Sequence, residues 1–245
     1  MTKWAHDWLT PDWPAPEWVK ACVTTRTGGI SGAPFDTFNL GEHVEDDAVA
    51  VAKNRQRLIS QLGCHPAWLR QVHGSVVVHA DPHEVAEADA SWTATVGVAC
   101  VVMTADCLPA LFCDRAGSRV AAAHAGWRGL AGGVLEATLD ALAVAPEDVL
   151  VWLGPAIGPQ AFEVGGEVRE AFLAQHPQAA KAFVASANAG RFMADIYQLA
   201  RIRLAARGVT AVYGGDFCSH SDPRFYSYRR APRTGRFASL IWLAN

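Results

Sequence analysis

The feature that most restricts how this chain can fold is a set of short segments that are apolar almost without interruption. Val98-Ala-Cys-Val-Val-Met103 offers no polar side chain to either face. A strand of this kind must be covered on both sides, because a strand with one wet face alternates apolar with polar residues. Segments of strand character run over 21–25, 76–80, 96–104, 110–113, 119–124, 149–153, 210–213 and 238–243.

Helical periodicity appears four times. Asp46 or Asp47 is placed to cap a helix that carries Val51, Leu58 and Leu62 and stops at Gly63. A second helix starts near Gly129, repeats Leu130, Val134, Leu135, Leu139 and Leu142, and ends before Pro146. A third is expected over 167–175, and a fourth over 193–207 with its stop at Gly208. Strands and helices mix without strict alternation, which predicts an α+β fold of layered sheets and not a doubly wound one. No repeat, low-complexity tract or composition break marks a linker. With 245 residues, 51% of them hydrophobic, residues 1–245 are expected to form a single domain around one substantial core.

The composition also excludes several function classes. A net charge of −3 gives no electrostatic reason to expect nucleic acid or an anionic membrane as partner. No apolar run is long enough to span a bilayer, and the first residues lack a signal-peptide pattern, so a cytoplasmic location is expected. Trp4, Trp8, Trp13 and Trp18 sit among prolines, which predicts a stiffened arm laying its indoles on the body of the domain. The six cysteines show neither a C-x-x-C pair nor the spacing of a disulfide scaffold, and are read as reduced thiols. No G-x-G-x-x-G or P-loop motif occurs, against a dinucleotide or P-loop site.

Chemistry concentrates in three segments where an apolar strand runs into a polar, glycine-containing turn. They are Gln71-Val-His-Gly74, Met103-Thr-Ala-Asp-Cys107 and Ala123-His-Ala-Gly-Trp-Arg-Gly129. Functional groups gather at strand ends because the sheet fixes them while the loop leaves them accessible. Two imidazoles and one thiolate, from His73, His124 and Cys107, make a sound ligand set for Zn²⁺ with a fourth position open. The same residues admit a metal-free reading, Cys107 as nucleophile with His124 or His73 as its base. His83-Glu84 resembles the start of H-E-x-x-H, but Glu87 stands where the second histidine belongs. The zinc-deaminase signature H-x-E…P-C-x-x-C is absent.

Longer motifs run through the whole chain in order. Thr24-Thr-Arg-Thr-Gly-Gly-Ile-Ser31, Asn39-Leu-Gly-Glu-His43, Trp68-Leu-Arg-Gln-Val-His-Gly74 and Ala88-Asp-Ala90 occupy the first half. Met103-Thr-Ala-Asp-Cys-Leu-Pro109, Ala121-Ala-Ala-His-Ala-Gly-Trp-Arg-Gly129 and Trp152-Leu-Gly-Pro-Ala-Ile-Gly-Pro159 fill the centre. Phe162-Glu-Val-Gly165, Tyr226-Ser-Tyr-Arg-Arg230 and Thr234-Gly-Arg236 follow. In these the chain resembles the laccase-domain purine nucleoside phosphorylase family, also called polyphenol oxidase or peptidoglycan editing factor.

The resemblance implies an α/β/β/α sandwich that binds zinc through His73, Cys107 and His124. It implies phosphorolysis of adenosine, inosine and methylthioadenosine, with adenosine deamination beside it; no obligate protein partner is evident in the sequence. The other names record a copper-dependent phenol oxidase and an amidase acting on a UDP-muramyl-serine precursor. Cu²⁺ would also bind these donors, since affinity rises toward copper along the divalent series. Yet the His-X-His pairs of a copper-cluster laccase do not occur. Phosphorolysis needs an anion site, and Arg26, in its Thr-Thr-Arg-Thr-Gly-Gly turn, and Arg128 are the candidates for phosphate. The run Arg229, Arg230, Arg233 and Arg236 is either a further anion site or a solvated face. Asp106, beside Cys107, is placed to orient a water, shuttle a proton or support a ligand.

Overall fold

The uninterrupted apolar segments become the middle strands of two stacked sheets in the computed structural model, which describes residues 6–245. The strands are β1 (Val19–Val23), β2 (His65–Ala67), β3 (Leu69–Arg70), β4 (Val77–His79), β5 (Ala86–Glu87), β6 (Ala90–Thr93), β7 (Val98–Thr104) and β8 (Leu108–Asp114). They continue with β9 (Val120–Ala125), β10 (Val149–Leu153), β11 (Glu163–Gly165), β12 (Phe183–Ala185), β13 (Arg191–Ala194), β14 (Val212–Gly214) and β15 (Phe237–Leu243). The helices are α1 (Ala48–Leu62), α2 (Trp127–Gly132), α3 (Val134–Leu142), α4 (Gly166–Leu173) and α5 (Ile196–Ala206). One sheet has the order β1-β15-β7-β2 and the other β14-β10-β8-β9-β6-β4. Both are mixed: β2 runs parallel to β7, β14 to β10 and β4 to β6, and the remaining pairs are antiparallel.

The double-sided burial of Val98–Thr104 has a direct cause. Cys100 and Val102 belong to the core between the sheets, whereas Ala99, Val101 and Met103 pack with Leu58 and Leu62 of α1. The larger sheet behaves the same way. Leu111, Cys113, Val120 and Ala122 enter the inter-sheet core, while Leu108, Ala110, Phe112, Ala121 and Ala123 lie under the α3 to α5 layer. Each Leu, Val or Phe buried in these layers contributes about 1.5–3 kcal/mol. The result is the α/β/β/α sandwich of mixed sheets, of α+β class, in a single domain.

Local signals set the helix ends. Asp47 caps α1 by accepting from the Val49 N–H at 2.8 Å, and Gly63 closes it at φ 66°. The second expected helix is in fact two. Gly133, at φ 94°, ends α2 and starts α3, because the left-handed backbone it adopts cannot continue a helix. The fourth also differs from expectation: Met193 lies in β13, and α5 begins only after Asp195, whose side chain accepts from the Gln198 N–H at 2.9 Å. The short strands β2, β3, β5, β6 and β11 to β13 carry too few residues to show a period.

The tryptophan arm lies on the domain as expected for its described part; Trp4 lies outside the described residues. Trp8 is buried and stacks on Phe38 at 5.6 Å, Trp13 packs against the inter-sheet core, and the Trp18 indole donates to the Gly117 carbonyl at 2.9 Å. No helix among the described residues is long and apolar enough to cross a membrane.

One buried amide in α1 ties down the loop that precedes it. Asn54 accepts from the Ile30 N–H and donates to Ser31 Oγ and to the Thr37 and Asn39 carbonyls, all within 3.2 Å. Replacing Asn54 with Ala strands these groups away from water, so unfolding free energy should fall by roughly 2–4 kcal/mol in a urea titration. A loss below about 0.5 kcal/mol, the usual effect of a surface change, would contradict this bracing role.

Candidate active site

The three chemical segments meet at one end of the larger sheet, and strand register explains why. In the antiparallel pair β8–β9, Pro109 lies opposite His124 and Leu108 opposite Ala125, so Cys107 falls across from Gly126. A side chain at Gly126 would press within 2.9 Å of both Cys107 Sγ and the His73 ring, so the close approach of the three donors requires glycine there. In β6–β9, Ala90 lies opposite Ala123, which sets Asp89 beside His124. His73 arrives on the loop after β3. Gln71 fixes that loop by a pair of 2.8 Å hydrogen bonds with the Met103 main chain, as a backbone strand would.

Asp89 completes the assembly. Its buried carboxylate accepts from the N–H groups of Val72, His73 and Gly74 at 3.2, 2.9 and 2.6 Å, and from His124 Nδ1 at 2.8 Å. The three N–H donors hold His73 at φ 62°, an uncommon conformation for a non-glycine residue. With Nδ1–H committed to Asp89, His124 turns Nε2 toward Cys107 and His73. Burial alone would raise the Asp89 carboxyl, but the hydrogen bonds from His124 and Gly74 outweigh it and hold the group below the usual carboxylate range.

His73, Cys107 and His124 each offer a ligand atom, and these lie within 4.8 Å of one another. Cys107 Sγ is 3.8 Å from His73 Nε2. Tetrahedral zinc with bonds of about 2.0–2.3 Å spaces such atoms about 3.3–3.6 Å apart, so the donors fit zinc after a small contraction. Among the described residues no other group of His, Cys, Asp or Glu is placed to share a metal. The His124–Asp89 contact supplies the carboxylate–histidine support common at metal ligands. Desolvation would push the Cys107 thiol up, but the adjacent His124 charge and hydrogen bonds from both imidazoles bring it down to about 6. Burial disfavours the His124 imidazolium, yet the Cys107 thiolate and Asp89 raise it to about 9.

The trio forms one side of a cavity of about 420 Å³. Apolar walls come from Trp127, Ile157, Phe162 and Ile196, and the aromatic ring of Tyr228 stands exposed at its edge. Arg128 lines the cavity with its guanidinium over Trp127 at 4.5 Å. Arg26 does not line it: it pairs with Asp36 at 2.9 Å and lies 5.2 Å over the Tyr226 ring. Asp106 reaches the cavity wall at φ 92°, but its oxygens are engaged, one by Ser219 Oγ at 2.7 Å and one by the Arg229 N–H at 2.6 Å. The arginine run divides. Arg229 and Arg236 line the cavity, Arg230 donates to the Ser219 and His220 carbonyls, and Arg233 lies 3.9 Å from Glu45.

Residues 20–244 match the family described as multi-copper polyphenol oxidoreductase laccase. A protein of Pseudomonas aeruginosa named purine nucleoside phosphorylase is 72% identical over 239 residues, covering 97% of this chain and 99% of that one. The purine nucleoside phosphorylase YfiH of Escherichia coli is 54% identical over 96% of this chain and 98% of its own length. The chain belongs to the laccase-domain purine nucleoside phosphorylase family. Its fold agrees with a solved structure from Neisseria meningitidis, which aligns at TM-score 0.95 and 52% identity over 98% of this chain and all of that one.

Two features of this family member escape a reading of the sequence by residue type, the role of Asp89 and the meeting of His43 with Arg236. Asp89 lies between two alanines before a four-residue strand, and nothing local marks it as the support of both histidines. His43 and Arg236 are 193 positions apart and converge only through the fold. Burial and the nearby charges of Arg236 and Arg55 depress the His43 imidazolium.

Two measurements check this geometry. Asp89→Asn keeps the volume but loses the carboxylate, so zinc affinity, read by competition with a chromogenic chelator, should fall roughly 10–100-fold. In metal-free protein, Cys107 is thiolate above about pH 6, so its alkylation by iodoacetamide should rise through pH 6 and then level. His124→Ala removes the positive charge that lowers the thiol, and the inflection should move upward. An inflection that stays near 6 in that variant would refute the coupling.

Proposed function

We propose that this chain is a purine nucleoside phosphorylase of the cytoplasm, one domain over residues 1–245, that holds zinc through His73, Cys107 and His124. The observation that carries the reading is the convergence of these donors on a partly apolar cavity that also presents guanidinium groups. The names of its relatives support it. Adenosine, inosine and methylthioadenosine are the expected substrates.

In phosphorolysis the bond from C1′ to purine N9 breaks and an oxygen of phosphate bonds to C1′. The electron pair leaves with the base, which takes up a proton, so adenosine and phosphate give adenine and ribose-1-phosphate. Catalysis must hold the two reactants in line and offset charge on the leaving base. The apolar walls and Tyr228 suit a purine face, and Arg128 meets the anion from the cavity wall. Arg26, paired with Asp36 outside the cavity lining, is not assigned to the anion. Asp106 positions the Ser219 and Arg229 segments that close one side of the cavity. A zinc ion on the trio would supply Lewis-acid chemistry. The deaminase activity replaces the C6 amino group of adenine with oxygen from water and releases ammonia.

Elemental analysis of purified protein, coupled to product analysis with adenosine in the presence and absence of phosphate, tests the reading. Zinc near one equivalent and phosphate-dependent ribose-1-phosphate are expected. Cys107→Ala should lower turnover by roughly 100-fold or more, beyond the 10–100-fold typical of a group that only supports a ligand. Full activity in that variant would overturn the assignment. Release of an amino acid from a muramyl–serine precursor with no phosphorolysis would favour the amidase instead. Phenol oxidation that requires copper loading and vanishes with zinc would mark it as adventitious.

A further inference from the structure

Three guanidinium groups line the cavity, those of Arg128, Arg229 and Arg236. Among the described residues none lies within 4.0 Å of a carboxylate, whereas Arg26, Arg55, Arg203, Arg207 and Arg224 are all paired. The anionic groups in the cavity lining are few. Asp106 has both oxygens hydrogen-bonded, to Ser219 and to the Arg229 main chain, and Cys107 belongs to the metal-binding set. The cavity therefore holds more positive charge than its own side chains offset.

Arg236 is the least exposed of the three; Arg229, exposed at the rim, has its Nη1 donating to the Ala161 and Glu163 carbonyls, each at 3.1 Å. The Arg236 Nη1 donates to the Thr234 and Gly235 carbonyls, each at 3.0 Å, which fixes the plane of the guanidinium. Nε and Nη2 have no acceptor among the described residues, so one edge of the fork stays free for a ligand. The main chain is held as firmly: the Arg236 N–H donates to Asn39 Oδ1 at 2.8 Å, and its carbonyl accepts from the Leu40 N–H at 3.1 Å. Asn39 is fully buried and folds its own loop, accepting from the Gly41 N–H at 2.9 Å and donating to the Gly41 carbonyl at 3.1 Å. A Cβ on Gly41 would come within 2.8 Å of Arg236 Cγ, so this loop is shaped around the arginine stem. Two residues on, His43 enters the same cavity lining. The motifs Asn39-Leu-Gly-Glu-His43 and Thr234-Gly-Arg236 are thus two halves of one platform.

We propose that Arg236, joined by His43, is the principal oxyanion subsite of the cavity, and that its occupant is inorganic phosphate. A planar guanidinium with two free N–H donors on one edge matches two oxygens of a tetrahedral oxyanion. Holding it immobile beforehand avoids the entropy of ordering a long side chain on binding. Arg128 and Arg229, whose stems are more exposed, complete the field from the cavity rim. The identity of the anion rests on the phosphorylase reading, while the existence of the subsite does not. A nucleotide-sugar substrate would present the same chemistry through its diphosphate.

Calorimetric titration of the zinc-loaded protein with inorganic phosphate, and separately with uridine diphosphate, tests both parts. Arg236→Gln should weaken phosphate binding roughly 10–100-fold, the range for loss of hydrogen bonds to a charged group. Arg236→Lys, which keeps charge but loses the fork, should restore part of it, and His43→Ala should show a smaller loss. Arg207→Gln, a change at an arginine paired with Asp140 outside the cavity lining, should bind as the parent does. In turnover, the KM for phosphate should rise in Arg236→Gln while the KM for nucleoside stays within about twofold. Unfolding midpoints of each variant establish that losses are not structural. Phosphate binding that survives Arg236→Gln and Arg236→Lys alike would overturn the subsite. Binding of uridine diphosphate, but not phosphate, in an Arg236-dependent way would uphold the subsite and overturn phosphate as occupant. Arg236-dependent phosphate binding with no ribose-1-phosphate formed would uphold the proposal and count only against the phosphorylase reading.

Discussion

The carboxylate of Asp89 is the point on which both the fold and the site depend, since it accepts four N–H groups from two segments that are otherwise unconnected. Three come from the loop that carries His73 and one from the ring of His124. A buried carboxylate is costly to desolvate, and only a full set of donors lets it stay ionised. Each hydrogen bond to such a charge is worth about 1.5–3 kcal/mol. The cost and its compensation together hold the loop after β3 in one place against the sheet. Without that carboxylate, His73 would have no reason to adopt a left-handed backbone, and the tautomer of His124 would be unset.

Small residues make the rest of the geometry possible. The run Ala121-Ala-Ala-His-Ala-Gly126 places one imidazole in a strand whose other side chains are minimal. The alanines of β9 let α3 lie close to the sheet, and Gly129 lets α2 approach the Gly74 carbonyl, which a Cβ would meet at 2.6 Å. Close packing of backbone on backbone leaves the donor atoms little freedom. The glycines are therefore constraints on position as well as relief for the chain.

How much of this the sequence discloses depends on the range over which each determinant acts. The six strands of five or more residues, β1, β7 to β10 and β15, were legible mainly because double-sided burial leaves an apolar run, and α1 because a capping aspartate and a closing glycine frame its period. The break at Gly133 was not, since Leu130, Val134 and Leu135 keep a helical period across it and only the backbone angle differs. Met193 continued the period of α5 in the same way, although hydrogen bonding to β11 and β12 claims it for a strand. His73, Cys107 and His124 could be listed as candidates from residue type and strand-end position, and the family resemblance joined them as one ligand set, with Cys107 across from Gly126 following once the β8–β9 register is known. Asp89, His43 and Arg236 could not be grouped, because their meeting is a product of tertiary register and no local pattern encodes it.

The same dependence on place governs the cysteines. Burial pushes the Cys22 thiol well up, and Cys64, Cys100 and Cys113 up to about 12, so all four stay protonated and behave as small apolar residues. Cys107 suffers the same desolvation and nonetheless falls to about 6. What separates them is that Cys107 stands past the end of β7, facing two imidazoles, whereas Cys22, Cys100 and Cys113 lie within strands and Cys64 lies beside β2 with no imidazole partner. Reactivity here is a property of the strand end, and the sandwich creates that end by stacking β8 between β10 and β9 while leaving the β7–β8 turn open to the cavity.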